Sequence, residues 1–231
     1  MDKSLRIPVR YVSMSLVAIA AFLCTLSLGF NVYEWSLGAE NTYWVMQLTE
    51  FLSVTHEANL PTWFSSFLLL CAALLGGAIA LTGQDHKKAW GAFSLLMLYL
   101  AIDETAVIHE MFTTPIREAL GLSGHLYFSW VILGTPLALL VGLLFVRFIF
   151  RLPTHTRNSI IAAGLIYLSG ALIVEAIAAN QWDMDGGTSL HYAAISSIEE
   201  FLEMLGVIIL INGLLRYIAL TLESLHITFS I

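Results

Sequence analysis

The hydrophobic positions of this chain are gathered into six long stretches that are separated by more polar segments. A helix needs about 20 apolar residues to cross the hydrocarbon core of a bilayer, so each stretch predicts a transmembrane helix. The predicted spans are 11–31, 62–82, 89–112, 126–150, 158–180 and 191–217. The pattern therefore predicts an all-α polytopic helix bundle, with residues 1–231 forming a single transmembrane domain.

Charge distribution predicts the orientation of the bundle. Only 12% of the residues are charged, against about 25% in soluble domains. Nine of the ten Lys and Arg residues fall on one side of the predicted spans, and Arg117 alone falls on the other. By the positive-inside rule both termini are cytoplasmic, and we expect a bacterial inner (plasma) membrane location. The acidic exterior side favours cations and argues against nucleic acid as a partner.

The first exterior loop, 32–61, is long for a bundle connection. Its segment Tyr43–Leu52 has partly amphipathic helical spacing, which predicts a short helix at the outer membrane interface. Asn59 or Thr62 is expected to cap the following helix, with Pro61 in its first turn. In that helix, Gly76 and Gly77 predict a close helix contact.

The third span carries acidic residues where apolar ones are expected. Asp103, Glu104, His109 and Glu110 lie within it, and each ionised group at mid-membrane costs about 2.5–3.5 kcal/mol on insertion scales. Such residues generally face a bundle interior, so the stretch is a functional-site hypothesis. On one straight helix, Asp103 and Glu110 would share a face, while Glu104 and His109 would flank that face on opposite sides.

Two further spans place carboxylates at a similar depth. Counted from the exterior ends, Asp103 lies ~13 Å, Glu175 ~8 Å and Glu199 ~12 Å inside the membrane. The sixth span adds Glu200 and Glu203, which repel Glu199 unless protons or metal ions intervene. The full set of candidate metal ligands is Asp103, Glu104, His109, Glu110, Glu175, Glu199, Glu200, Glu203 and, near the exterior side, His56, Glu57 and His191.

Carboxylates and histidines converging from separate helices are how dinuclear iron and manganese sites are built in helix bundles. Mixed oxygen and imidazole donors suit a divalent metal, iron first and then manganese or zinc. The Glu-x-x-His pair of those bundles is missing from the six predicted spans, and the His-Glu-x-x-His zinc motif is missing from the sequence. As an enzyme, the protein would be a metal-dependent oxidoreductase or hydrolase acting on a lipid or quinone, with Ser196 or Tyr192 assisting proton transfer.

Other functions are also consistent with these residues. A chain of intramembrane acids can relay protons or cations, although the cytoplasmic halves of the third, fifth and sixth spans are largely apolar. A small chain with little soluble mass also suits a non-catalytic subunit or assembly factor of a larger membrane complex. Haem ligation by His109 and His191 is a further alternative, since both lie near the exterior side.

Three blocks carry a resemblance. Glu57–Ser66, the pair Ile102–Glu104 and His109–Glu110, and Ile198–Met204 are similar to blocks that occur in the same order in a group of bacterial multi-pass membrane proteins. The likeness covers most of the chain from Glu57 onward. That group has no established activity, so the resemblance implies that the site residues form a unit without implying a reaction.

Overall fold

The computed structural model describes residues 8–38, 42–83 and 85–221, and all regular secondary structure in these ranges is helical. Both chain termini and residues 39–41 of the predicted exterior loop lie outside the described residues. The helices are α1 (Val9–Leu37), α2 (Tyr43–Leu52), α3 (Leu60–Thr82), α4 (Lys87–Ala106), α5 (Thr113–Leu120), α6 (Val131–Ile149), α7 (Thr154–Leu168), α8 (Glu175–Asp185) and α9 (Leu190–Thr221). A π-helical turn, Ser169–Val174, joins α7 to α8 without interrupting the span.

The predicted membrane bundle is confirmed. Five described helical segments are long and apolar enough to cross a membrane, namely α1, α3, α6, α7 with α8, and α9. The sixth is α4 together with the bent segment that follows it. The predicted short helix coincides with α2 at Tyr43–Leu52, while its position at the membrane interface stays a prediction. We keep the terms exterior and cytoplasmic for the two ends, as the Lys and Arg distribution assigns them.

Helix α9 occupies the centre of the bundle, where it packs against α1, α3, α7 and α8. A Cβ atom at Gly206 of α9 would lie 2.8 Å from the backbone nitrogen of Tyr167 in α7, so the two helices approach at backbone distance. The predicted contact at Gly76 is also confirmed, because a Cβ atom there would lie 3.1 Å from the Phe93 ring of α4. Small residues thus hold the helices close together.

An aromatic group closes the cytoplasmic end of the bundle. Trp90 is completely buried, and its ring centroid lies 5.0 Å from that of Phe148 in α6 and 5.2 Å from that of Tyr217 in α9. Phe93 packs edge-on against Trp90. These contacts tie α4, α6 and α9 together below the acidic level.

The third span is not the straight helix that the sequence predicts. Helix α4 ends at Ala106, a 3-10 helix follows at His109–Phe112, and the axis turns by 68°. The prediction that Glu104 and His109 flank opposite sides of one helix is therefore wrong, because the two residues belong to segments that point in different directions. The exterior end of α3 is as predicted, with the Asn59 side chain accepting from the Thr62 N–H at 3.2 Å and Pro61 in the first turn.

Candidate functional site

The end of α4 folds His109 back onto Asp103. Val107 adopts a left-handed conformation (φ 54°, ψ 41°), and its N–H donates to the carbonyl of Asp103 at 2.7 Å. His109 Nδ1 then lies 2.9 Å from Asp103 Oδ2, and the His109 backbone N–H donates to Oδ1 at 3.0 Å. Because Asp103 engages Nδ1, Nε2 is the imidazole nitrogen available to a ligand.

Seven glutamates from five segments converge in the exterior half of the bundle. This carboxylate cluster consists of Glu57 before α3, Glu104 in α4, Glu110 after the break, Glu175 at the start of α8, and Glu199, Glu200 and Glu203 in α9. The segments meet closely enough for their charges to interact. Glu57 lies within electrostatic range of Glu104 and Glu110, and Glu199 within range of Glu175 and Glu203.

The edge of the cluster nearest the exterior is Glu57, which precedes the spanning part of α3. Burial of its carboxyl, together with the nearby charges of Glu104 and Glu110, raises the pKa of Glu57 to about 7. The residue as a whole is nevertheless exposed, as is Glu110. The cluster therefore begins at the protein surface and continues inward.

Glu200 marks the deep part of the cluster. It lies within electrostatic range of Glu104 and Glu203, and its Oε2 atom is buried with no hydrogen-bond partner. A buried polar atom without a partner is uncommon and calls for an explanation. Glu104, Glu199, Glu200 and Glu203 are all half-buried.

Hydroxyl groups contact two members of the cluster. The phenol of Tyr167, at the end of α7, lies close to Glu203, and the hydroxyl of Ser65 in α3 lies close to Glu104. Ser65 is buried, and Tyr167 also lies within electrostatic range of Glu200. These contacts bring α3 and α7 into the site.

Trp130 connects the break after α4 with α8. Its indole N–H donates to Glu175 Oε1 at 2.6 Å, and its ring centroid lies 4.7 Å from that of His109. Glu175 is buried. The tryptophan therefore fixes one carboxylate and packs on the imidazole, at the point where the chain enters α6.

Cationic side chains are not part of this arrangement in the described ranges. Asp103 and His109 form an ion pair, whereas none of the seven glutamates pairs with a Lys or Arg among the described residues. Moreover, no set of three or more His, Cys, Asp or Glu side chains in residues 8–38, 42–83 and 85–221 is spaced to hold a metal ion. The carboxylates therefore lie in one region, but they do not surround a single position that a metal ion could occupy.

The π turn sets the orientation of Glu175. Glu175 lies eight positions after Tyr167, which on a regular helix would place their side chains about 80° apart. The extra residue in a π turn removes about 100° of rotation and brings the two onto nearly one face. A Cβ atom at Gly170 in this turn would lie 2.8 Å from the carbonyl of Glu199, so the turn packs directly against the acids of α9.

The remaining predicted site residues divide into two groups. Tyr192 and Ser196 are both buried and lie close to each other, and Tyr192 lies within electrostatic range of Glu199. They adjoin the cluster. His56 and His191 are exposed, and no contact places them in the cluster; His191 lies instead near Asp185.

Sequence reasoning missed Tyr167, Trp130 and Ser65. A phenol, an indole N–H and a hydroxyl are ordinary membrane-helix groups, so none of them signals a site by type alone. Tyr167 could have been found by its depth, since it precedes Glu175 by about 12 Å of helix. Cys24 of α1 is buried and lies within electrostatic range of Glu200.

A family described as a domain of unknown function (DUF8692) matches residues 16–218. The chain belongs to this family. The DUF8692 match spans every member of the carboxylate cluster, and it confirms the expected family without an established activity. Neither a curated protein nor a solved structure matches the chain significantly.

Proposed function

We propose that this chain is an integral membrane metalloprotein of the bacterial inner membrane that binds divalent metal ions in the carboxylate cluster. The observation that carries the proposal is the convergence of seven glutamates and one oriented imidazole from five segments, with no Lys or Arg counter-ion among the described residues. Charges at membrane depth are neutralised, paired or bound to something. Divalent cations meet this requirement with the donors that the cluster offers.

The buried oxygen of Glu200 supports a ligand inside the cluster. Protonation would neutralise a carboxyl but would leave a buried hydroxyl that also needs a partner. The Oε2 atom of Glu200 has none. Coordination to a cation would satisfy this atom and reduce the repulsion from Glu104 and Glu203 at the same time.

The donor set favours some metals over others. Glutamate oxygens dominate and His109 supplies one nitrogen, which suits iron, manganese or zinc, with iron favoured. Seven carboxylates exceed the needs of one ion, so the proposal extends to a dinuclear site of the kind that helix bundles build from glutamates. Since no three donors are spaced for a metal in this structure, binding requires the flexible glutamate side chains to change rotamer.

The residues around the ligands have roles of their own. Asp103 holds the imidazole of His109 so that Nε2 faces outward from the pair, as carboxylates do for metal-bound histidines. Trp130 fixes one oxygen of Glu175. Tyr192 and Ser196 adjoin the cluster and can carry a proton. A bound metal would supply Lewis acidity or redox chemistry, which makes the protein an oxidoreductase or hydrolase in the enzyme form of the proposal.

Metal content tests the proposal directly. The protein would be purified in mild detergent, incubated separately with Fe²⁺, Mn²⁺ and Zn²⁺, desalted, and analysed by inductively coupled plasma mass spectrometry. We expect roughly one to two ions per wild-type chain. In a Glu199→Gln, Glu203→Gln double variant, metal affinity should fall ~10–100-fold. Glu118→Gln is the matched control, because it removes an exposed exterior carboxylate outside the cluster.

Two outcomes would overturn the proposal: no retained metal with any of the three ions, or equal retention in the double variant and the control. Thermal unfolding of each preparation shows whether the double variant is folded. The subunit and transport alternatives stay predictions, because no contact in the described residues favours either over metal binding.

A further inference from the structure

A groove runs between α3 and α4 in the cytoplasmic half of the bundle. Its volume is about 380 Å³. Its lining includes Leu70, Leu74, Gly77 and Leu81 of α3 together with Ser94 and Leu98 of α4. Leu74 and Leu81 are 65% and 83% exposed, so the groove opens sideways toward the surrounding lipid and lies apart from the carboxylate cluster of the exterior half.

The floor of the groove is the place where α3 and α4 come close together. Ala73 is buried there, and a Cβ atom at Gly77 would lie 3.2 Å from Oγ of Ser94. The exposed Leu74 and Leu81 stand beside this floor. The groove is therefore bounded by leucine side chains above a floor of small residues.

The groove offers hydrocarbon surface and no free hydroxyl. Ser94 Oγ donates to the carbonyl of Ala73 at 2.7 Å, and Thr82 Oγ1 donates to the carbonyl of Ala78 at 2.7 Å. The other lining residues are Leu, Ala and Gly. A polar ligand would lose its contacts with water here without gaining hydrogen bonds, so the groove suits a hydrocarbon chain.

Lys87 lies at the cytoplasmic mouth of this groove. It begins α4 and is exposed. Ser94 and Leu98 follow it by seven and eleven positions, so all three residues share one face of α4. Gly91 lies between Lys87 and Ser94, and nothing lies within 4 Å of a Cβ atom at that position. The face of α4 between the lysine and the groove is therefore open.

The charge at this mouth favours an anion. Lys87 and Lys88 are both exposed, and Asp85 is the one carboxylate among the described residues of the turn 83–88. Neither lysine pairs with a carboxylate in the described ranges. Clusters of Lys and Arg at the cytoplasmic end of a membrane helix attract anionic lipid head groups.

We propose that this groove binds an anionic phospholipid of the cytoplasmic leaflet, with one hydrocarbon chain between α3 and α4 and the phosphate beside Lys87. The length of the groove agrees with this occupant. From Leu70 to Thr82 the helix rises ~18 Å, and one leaflet contributes about half of the ~30 Å hydrocarbon core. A transmembrane helix, which is about 10–12 Å across, would rest on Leu74 and Leu81 without reaching the floor.

Matched variants test the two parts of this site. Lys87→Gln removes the charge at the mouth, and Lys88→Gln removes an equally exposed charge about 100° away around the helix. Ala78→Trp fills the groove, whereas Ala92→Trp places the same ring at an exposed position of α4 outside the lining. Each protein would be purified in mild detergent, titrated with phosphatidylglycerol or phosphatidylcholine, and analysed by native mass spectrometry.

We expect about one phosphatidylglycerol per wild-type chain, bound about fivefold more tightly than phosphatidylcholine, which has no net charge. Lys87→Gln should remove this preference, and Lys88→Gln should keep most of it. Ala78→Trp should weaken the binding of both phospholipids, because it blocks the hydrocarbon chain rather than the head group. Ala92→Trp should bind both as the wild-type protein does.

Three results would overturn the inference. These are equal binding of the two phospholipids by the wild-type protein, equal effects of Lys87→Gln and Lys88→Gln, and undiminished binding by a folded Ala78→Trp protein. Light scattering after size-exclusion chromatography adds a fourth, since a wild-type dimer that Ala78→Trp dissociates would place a second copy of the chain in the groove. Thermal unfolding shows whether Ala78→Trp is folded, and the two exposed lysines decide the question if it is not.

Discussion

Two membrane helices are interrupted beside the carboxylate cluster, and they are interrupted in different ways. After α4 the chain enters a left-handed residue, Val107, and turns by 68°. Between α7 and α8 the π turn Ser169–Val174 inserts a residue while the span continues as one helix. The first interruption changes the direction of the helix axis. The second keeps the direction and changes only which side chains face the bundle.

The difference teaches how polar groups reach one point from several helices. The break carries His109 back to Asp103, a contact that a continuous helix would not allow. The π turn keeps α8 in line but rotates Glu175 toward the face of Tyr167. The break thus produces the hydrogen-bonded pair of Asp103 and His109, whereas the π turn aligns Glu175 of α8 with Tyr167 of α7.

The π turn should tolerate the deletion of one residue, whereas regular helix should not. This difference is the largest effect that we expect. Ile173 lies in the π turn and Ile161 in regular α7, and both are exposed. Deletion of Ile173 should convert the π turn to α-helix and keep both flanks in place. Deletion of Ile161 should rotate the start of α7 by about 100° and misplace its buried residues.

The measurement is the yield of monodisperse protein by size-exclusion chromatography in detergent. We expect near wild-type yield for the Ile173 deletion and little folded protein for the Ile161 deletion. Equal loss in both variants would contradict the idea that the turn accommodates one surplus residue.

Gly170→Ala probes the contact between the π turn and α9. Its Cβ atom would lie 2.8 Å from the carbonyl of Glu199 and 3.0 Å from Cγ of Glu203. The backbone carbonyl of Glu199 cannot move away easily, so we expect Gly170→Ala to destabilise the protein by about 1–3 kcal/mol. Gly164→Ala is the matched control, since nothing lies within 4 Å of a Cβ at that position of α7. Thermal unfolding of both variants should show a loss only for Gly170→Ala; equal midpoints would mean that the turn is not in tight contact.

Asp103→Asn probes the pair that the break creates. The amide oxygen can still accept from the backbone N–H, which leaves the NH2 group to donate to Nδ1 and favours the tautomer with its proton on Nε2. Metal affinity should therefore fall about 10–100-fold, as for other groups that orient a metal ligand. Titration with Mn²⁺, followed by electron paramagnetic resonance, measures the affinity. Asp85→Asn, at an exposed position on the cytoplasmic side, is the control. Unchanged affinity in Asp103→Asn would remove the positioning role.

Most of the fold could be predicted because membrane spans are set by length and hydropathy alone. The six spans, the short helix α2 and the cap at Asn59 all follow from local composition. The acids could be recognised as a set for the same reason, since a carboxylate is conspicuous in an apolar stretch. Neither inference needs knowledge of how the helices pack.

The two interruptions could not be predicted in this way. Val107 has neither glycine nor proline beside it, and the nearest proline is Pro115. A β-branched residue in the left-handed region is imposed by the surroundings rather than by its own preference. The π turn leaves hydropathy unchanged, so it gives no local signal. As a result the sequence placed His109 on the same straight helix as Glu104, and it gave no reason to single out Tyr167 or Trp130.

The left-handed residue itself gives the smallest and most specific prediction. A non-glycine residue in this region costs roughly 1–2 kcal/mol, and glycine adopts it freely. Glycine also has more conformational entropy in the unfolded state, which offsets part of this gain. The net stabilisation by Val107→Gly should be about 1 kcal/mol, which raises the midpoint of thermal unfolding by about 2–4 °C. Val107→Ala, which keeps the unfavourable conformation, should not be stabilised. A less stable Val107→Gly variant would contradict this prediction. It would mean that packing of the half-buried valine side chain contributes more free energy than the left-handed backbone conformation costs.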